Sequence, residues 1–230
     1  MNPNRTLWNQ QQQTLRQALS SWGSFQDAIT LFLIQHAMVH AEEMSHAGIW
    51  SFEDEILEDL SDSQMRRMPH NCEHTIAWAL WHLSRIEDVT MNLLIAGSPQ
   101  VLLYENWLER MEVGIQSTGN GMSADSMIEL SEKINLEALR SYRLSVGRRT
   151  REIAKQVRPE DLKRKVDPAR LQQIVKERAV EVDNGDLLDY WSSLTVSGLL
   201  LMPPTRHNFI HLNEALRIRQ SITRSSKRRD

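Results

Sequence analysis

The chain has 230 residues, of which 40% are hydrophobic and 25% charged, a composition typical of a globular rather than a disordered protein. Its formal charge of -3 gives no general attraction to nucleic acid, and its single cysteine, Cys72, excludes an intramolecular disulfide and a cysteine-rich metal cluster. The N-terminus lacks an apolar signal-peptide core, and no apolar run reaches bilayer length. We therefore expect a cytoplasmic protein that contacts neither nucleic acid nor membrane.

The periodicity of apolar residues is helical along most of the chain. Four long segments are candidates for the helices of a bundle, namely 25–46, 72–96, 136–157 and 205–222. Shorter helices are predicted near 52 and at 105–112, 124–132, 168–181 and 187–201, and Pro203-Pro204 is expected to break the chain before the last helix. The sequence thus predicts an all-α fold, a four-helix bundle with extra short helices inserted between the bundle helices. We expect one domain over 1–222, with a polar lead-in at 1–23 and a basic disordered tail at 223–230.

The second of these segments, CEHTIAWALWHLSRIEDVTMNLLIA, has the most distinctive sequence and ends at Gly97. Its residues 76–81 are apolar on every side, which predicts a helix buried in the centre of the bundle. His82 interrupts this run, and three apolar residues share its face, namely Trp78, Ile86 and Val89. A buried histidine needs a carboxylate, a carbonyl or a metal ion as its partner, and a hydrogen-bonded core histidine is the simpler interpretation of His82 taken alone.

The eight histidines are spaced unusually. Random placement would give about 0.24 pairs separated by four residues, whereas the sequence has three such pairs, His36/His40, His70/His74 and His207/His211. On a helix this spacing puts two imidazoles on one face, close enough to bind one metal ion. His70 is predicted to precede its helix, so the His70/His74 pair lacks helical geometry. The His36/His40 pair lies mid-helix, with His40 toward a polar end, and the third pair is therefore the best placed.

The segment HNFIHLNEALRIR contains this third pair. His207, His211, Glu214 and Ile218 fall in one narrow helical stripe that we expect to face the bundle interior. If His82 meets this pair, three nitrogen ligands result and coordination positions remain for water or substrate, as in catalytic metal sites. An isolated pair of histidines with this spacing also fits a partly exposed helix face, so a metal site and an exposed face both stay open. Glu214 either orients a ligand or forms a surface ion pair with a neighbouring arginine, Arg206 or Arg217.

The segments HTIAWALWHLSRIEDVTMNLLIAGSPQVL and HNFIHLNEALRIR together resemble the DinB-like, or YfiT-like, metal-binding four-helix-bundle superfamily, over about residues 25–222. The resemblance implies that one histidine of the second bundle helix and two of the fourth hold a metal ion. Here these residues are His82, His207 and His211. Many members have Gly-Gln after the last ligand, where this chain has Asn213 and Glu214.

The resemblance also implies a function. Known members include thiol S-transferases that use bacillithiol or mycothiol, which suggests a metal-dependent transferase or hydrolase acting on a small-molecule substrate. A divalent ion, zinc or nickel, and a low-molecular-weight thiol are the expected cofactors, and a homodimer is the expected assembly. Glu214 is the candidate for catalytic proton transfer. The alternative is a non-catalytic metal- or ligand-binding bundle, favoured by the departure from Gly-Gln and by the absence of an obvious second catalytic group.

Overall fold

The computed structural model describes residues 2–20, 24–181 and 185–226, and within these ranges the fold is built of helices. Its α-helices are α1 Pro3–Ser20, α2 Phe25–Met38, α3 Phe52–Leu57, α4 Asp62–Met65, α5 Ile76–Asp88, α6 Trp107–Arg110, α7 Ala124–Lys133, α8 Leu136–Gln156, α9 Pro168–Lys176, α10 Gly185–Ser193, α11 Val196–Leu201 and α12 Asn208–Ser226. Two π-helical segments, Val89–Ala96 and Met202–His207, follow α5 and α11. Short 3-10 segments cover Glu42–Met44, Val101–Leu103 and Pro159–Lys163. Within the described ranges, the only extended pairing is an isolated bridge between Lys165 and Thr195.

The helices α2, α5, α8 and α12 form the bundle. Helix α5 packs against α8 and α12, and α2 packs against α8. The shorter helices cover this framework, with α3 against α12, α7 against α5 and α6 against α8. The predicted all-α fold, a four-helix bundle with inserted short helices, is therefore confirmed. No helix of the described ranges is both long and apolar enough to cross a bilayer.

Helix α5 lies at the centre of the bundle, as predicted from its apolar sequence. The hydroxyl of its N-cap residue, Thr75, accepts a hydrogen bond from the backbone N–H of Trp78. Every residue of the helix is buried. The π-helical segment that continues it ends at Gly97, whose φ of +67° is the left-handed conformation that favours glycine. The predicted stop signal is thus confirmed.

The lead-in to the bundle contains a helix with a structural role. Helix α1 packs along α2 and buries Trp8 and Leu15. The Trp8 ring stacks on Phe209 at a centroid distance of 4.0 Å, and its indole N–H donates to the carbonyl of Gln35. Residues 21–23 of the lead-in lie outside the described residues.

Several predicted helix boundaries are wrong. The second bundle helix begins at Ile76 rather than at 72, and the predicted helix over 187–201 is divided into α10 and α11. The first bundle helix was expected to reach residue 46, but α2 ends at Met38, and the chain turns so that His46 adopts a φ of +49°. The last helix was expected to end at 222, but α12 continues to Ser226, into the segment predicted as a tail. Residues 227–230 of that segment lie outside the described residues.

The predicted break at Pro203-Pro204 is also wrong, because a π-helical turn connects α11 to α12 across the two prolines. Neither proline has an N–H to donate to the preceding helical turn. The Thr205 hydroxyl takes this role instead, with carbonyl contacts of 3.2 Å to Leu200 and 2.8 Å to Leu201.

Candidate metal centre

The structure brings His82 together with His207 and His211. His82 projects from the middle of α5, His207 ends the π-helical turn, and His211 lies one turn into α12. Ring centroids are 5.0 Å apart for His82 and His207, 4.8 Å for His82 and His211, and 4.5 Å for His207 and His211. One nitrogen from each ring lies within 4.8 Å of the others, so the three residues form a group that could hold a metal ion.

The orientation of His82 is fixed by its surroundings. Its Nδ1–H donates to the carbonyl of Thr118 at 2.8 Å, which leaves the lone pair of Nε2 directed at the other histidines. Gly119, which follows Thr118, has a φ of +81°, a backbone conformation that favours glycine. The Trp78 ring stacks on His82 at 4.7 Å with an interplanar angle of 6°. Burial, together with the neighbouring His211, lowers the pKa of His82 to about 3, so the ring is neutral at pH 7.

His207 faces His82 directly. The two Nε2 atoms are 3.2 Å apart, and the Nδ1 atom of His207 is buried without a hydrogen-bond partner among the described residues. Burial lowers the pKa of His207 well below its usual range, and the two neighbouring imidazoles lower it further. Neutral imidazoles with converging nitrogens are the form in which histidine binds a divalent metal ion.

Glu214 connects His211 to a further histidine, His74. The Nδ1–H of His211 donates to the carboxylate at 2.6 Å, and Nε2 of His74 contacts the same oxygen at 3.3 Å. Hydrogen bonds from His211 and His74 hold the pKa of the Glu214 carboxyl well below its usual range. A carboxylate behind a ligating histidine fixes its tautomer and increases its basicity. Of the partners proposed for Glu214 from the sequence, the candidate ligand His211 is therefore the one in contact.

This donor set fits a divalent transition ion. Three imidazole nitrogens suit zinc or nickel, and three protein ligands leave coordination positions for a small molecule. The side chains of His211 and Glu214 are 19% and 36% exposed, so a ligand can reach the site from their side. His74, His211 and Glu214 also form a second, overlapping group of ligand atoms.

A separate cluster lies deeper in the bundle, and the sequence reasoning missed it. The His36/His40 pair is predicted to lie mid-helix, with His40 toward a polar end, yet both residues are fully buried and contact the carboxylate of Glu87 from α5. The available signal was Glu87 itself, an acidic residue inside the segment predicted to be the most buried. His74 was also missed as part of the first site. It precedes α5, which begins at Ile76 rather than at the predicted residue 72, and it lies four residues before Trp78 and eight before His82.

The fold and the three converging imidazoles define a helical-bundle protein with a candidate metal centre. The family model of the DinB superfamily matches residues 53–188, and the chain belongs to this superfamily. The resemblance seen in the sequence is therefore confirmed. The matched range contains His74 and His82 and ends before His207. No curated protein matches the chain.

Proposed function

We propose that this protein is a metal-dependent enzyme that transfers a low-molecular-weight thiol, of the bacillithiol or mycothiol type, to a small-molecule substrate, or hydrolyses such a substrate. A divalent ion, zinc or nickel, is held by His82, His207 and His211. The observation that supports this most strongly is the convergence of the three rings while Thr118 and Glu214 occupy the Nδ1 atoms of two of them. Membership of the DinB superfamily agrees with metal binding.

The ion and the protein chain would contribute different parts of the chemistry. When bound, a divalent ion acts as a Lewis acid that lowers the pKa of a thiol or water in its coordination sphere. The chain contributes three ligands, and the orientations of two of them, His82 and His211, are set before binding. The Thr118 carbonyl keeps Nε2 of His82 unprotonated, and Trp78 shields one face of that ring from water.

We assign Glu214 the role of a positioning residue that acts through His211. Its carboxylate holds the proton on Nδ1 of His211 and is itself held by His74. As the most exposed of these side chains, it also lies where a proton released by a bound thiol can pass to solvent. The positioning role of Glu214 is therefore tested before direct proton transfer from Glu214 to the substrate.

Metal analysis of tag-free, chelator-free protein tests the site. We expect His211→Ala to contain one equivalent of zinc or nickel less than the wild type, because it removes one of three ligands. The exposed His46 provides the matched control, and His46→Ala is expected to keep the wild-type metal content. Equal metal content in the wild type and His211→Ala would reject the site.

Turnover separates the enzyme from the alternative of a non-catalytic binding protein. The metal-loaded protein is assayed with bacillithiol, mycothiol and glutathione against an activated aryl halide, and with an ester for hydrolysis. Turnover that disappears in His82→Ala supports the enzyme. A protein that binds metal and shows no turnover with any pair supports the binding alternative. The expected homodimer stays a prediction, which light scattering of the same sample tests.

A further inference from the structure

The second histidine cluster combines residues from two helices and a turn. His36 lies near the end of α2, His40 lies two residues beyond that helix, and Glu87 comes from α5. Nε2 of His36 is 2.8 Å from one carboxylate oxygen of Glu87, and Nε2 of His40 is 3.0 Å from the other. The exposed fractions of the three residues are 0%, 1% and 0%. The cluster is therefore enclosed by protein.

The spacing of these atoms resembles a ligand set. Around a zinc-sized ion, with ligands about 2.1 Å away, neighbouring donor atoms lie about 3.0–3.4 Å apart. The contacts of Glu87 are close to this range. The two imidazole centroids are 4.3 Å apart, near the 4.5 Å between the rings of His207 and His211 in the first site.

Both imidazoles present the same nitrogen to Glu87. Their Nδ1 atoms are buried and have no hydrogen-bond partner among the described residues. Helix α8 packs closely against His40. A Cβ on Gly147 would lie only 3.0 Å from the Nδ1 atom of His40. The packing of α8 thus restricts the His40 ring, whose Nε2 atom faces the Glu87 carboxylate.

The charge of the cluster favours a cation. Burial would raise the pKa of the Glu87 carboxyl, but the two imidazoles hold it well below its usual range, so it is ionised. Burial lowers the pKa of His40 to about 3, which leaves this ring neutral at pH 7. The guanidinium of Arg143 is engaged by Glu53 at 2.6 Å, and the further donor to Glu87 is the uncharged amide of Asn208 at 3.0 Å.

We propose that His36, His40 and Glu87 form a second metal site, which takes a divalent first-row transition ion such as zinc through two imidazole Nε2 atoms and a carboxylate. Because all three ligands are enclosed by protein, no substrate can reach this ion, and its role is to join α2 to α5. It enters as the chain folds and exchanges slowly in the native state. The inference is independent of the proposed enzymatic function.

Zinc stoichiometry after refolding tests the proposal. The tag-free full chain is unfolded with chelator, refolded with excess zinc and desalted, and its metal content is measured. We expect two zinc ions per chain in the wild type, one in His36→Gln and one in His211→Gln. The control His46→Gln is expected to keep two. An unchanged zinc content in His36→Gln overturns the second site, whatever the total in the wild type, whereas an unchanged content in His211→Gln counts against the first site alone.

Exchange kinetics provide a test that needs no variant, in case His36→Gln does not fold. Zinc release from the native wild type to a chromogenic chelator is expected in two phases of equal amplitude. The fast phase comes from the partly exposed first site and the slow phase from the enclosed one. The same experiment on His211→Gln is expected to lose only the fast phase. A single fast phase in the wild type overturns the proposal. The absence of the fast phase would instead count against the first site.

Discussion

The side-chain amide of Asn208 donates to the carboxylate of Glu87 at 3.0 Å, and this contact connects the two histidine clusters. Asn208 follows His207 directly in the chain, so the helix that supplies the first site also holds the acidic residue of the second. The same amide donates to the carbonyl of Pro203, and its oxygen accepts a hydrogen bond from Arg143 at 2.8 Å. A displacement of α12 at this position therefore affects both sites.

Removal of this amide is expected to destabilise the fold. Asn208→Ala leaves three buried polar groups short of a partner, and we expect the free energy of unfolding to fall by about 2–4 kcal/mol. Urea denaturation measures the change. The exposed Asn9→Ala is the matched control and is expected to change stability by less than about 0.5 kcal/mol. A similar small effect for Asn208→Ala would contradict the connecting role.

Glu214 is expected to tune metal affinity at the first site. Glu214→Gln keeps the size of the side chain but removes the charge that accepts the Nδ1–H of His211. Loss of such an outer carboxylate reduces metal affinity by about 10- to 100-fold. Competition with a chelator of known affinity measures zinc binding in both proteins. Glu129→Gln, which removes an exposed carboxylate paired with Lys133, is the control and should bind zinc as the wild type does. Unchanged affinity in Glu214→Gln would exclude the positioning role.

The sequence predicts the fold and the first cluster because both depend on local periodicity. The apolar run before His82 predicts burial, and the spacing of His207 and His211 predicts one helical face. The family resemblance was required only to predict that His82 lies next to His207 and His211. The π-helical turn at the two prolines could not be foreseen, since it depends on the Thr205 hydroxyl replacing missing backbone donors.

The second cluster was inaccessible to the same reasoning for a physical reason. Periodicity of α2 predicts a continuous helix through His40, and on such a helix the polar residues that follow indicate an exposed end. The chain instead leaves the helix after Met38, and His40 turns inward to Glu87, 47 residues away in sequence. A contact of this range depends on tertiary packing, and Gly147 on α8 makes the space for it.

Stability is expected to decrease in mild acid. In protein refolded without metal, His40 and His82 have pKa values of about 3, against 6.5 for an ordinary histidine. Between these values the unfolded chain binds protons that the folded chain excludes, so the unfolding free energy falls as the pH decreases. Each histidine contributes up to about 1.4 kcal/mol per pH unit.

Urea denaturation at pH 7, 6, 5 and 4.5 measures this dependence. His40→Gln removes one of the three buried histidines whose pKa is lowered, His40, His82 and His207, and its stability is expected to vary less with pH than that of the wild type. His46→Gln removes an exposed histidine and is expected to keep the wild-type slope. A wild-type stability that stays constant from pH 6.5 to 4.5 would show that these rings take up protons in the folded state.

Gly147 is expected to tolerate no side chain, although it lies in the middle of α8. Alanine favours a helix over glycine by about 1 kcal/mol, but a Cβ at this position would lie 2.7 Å from Cγ of Met44 and 3.0 Å from Nδ1 of His40. The Met44 side chain can move, whereas the His40 ring is held by Glu87. We therefore expect Gly147→Ala to lower the unfolding free energy by about 1–3 kcal/mol.

Two comparisons identify the cause of this loss. Gly114 has open space where its Cβ would lie, so Gly114→Ala is expected to leave stability nearly unchanged. Adding Met44→Ala to Gly147→Ala removes one contact only, so the double variant stays less stable than Met44→Ala alone if the His40 ring is the obstacle. Urea denaturation of the four variants decides the point. If Gly147→Ala equals the wild type or exceeds it in stability, the His40 ring is free to move, and the rigid orientation of the second cluster is lost with it.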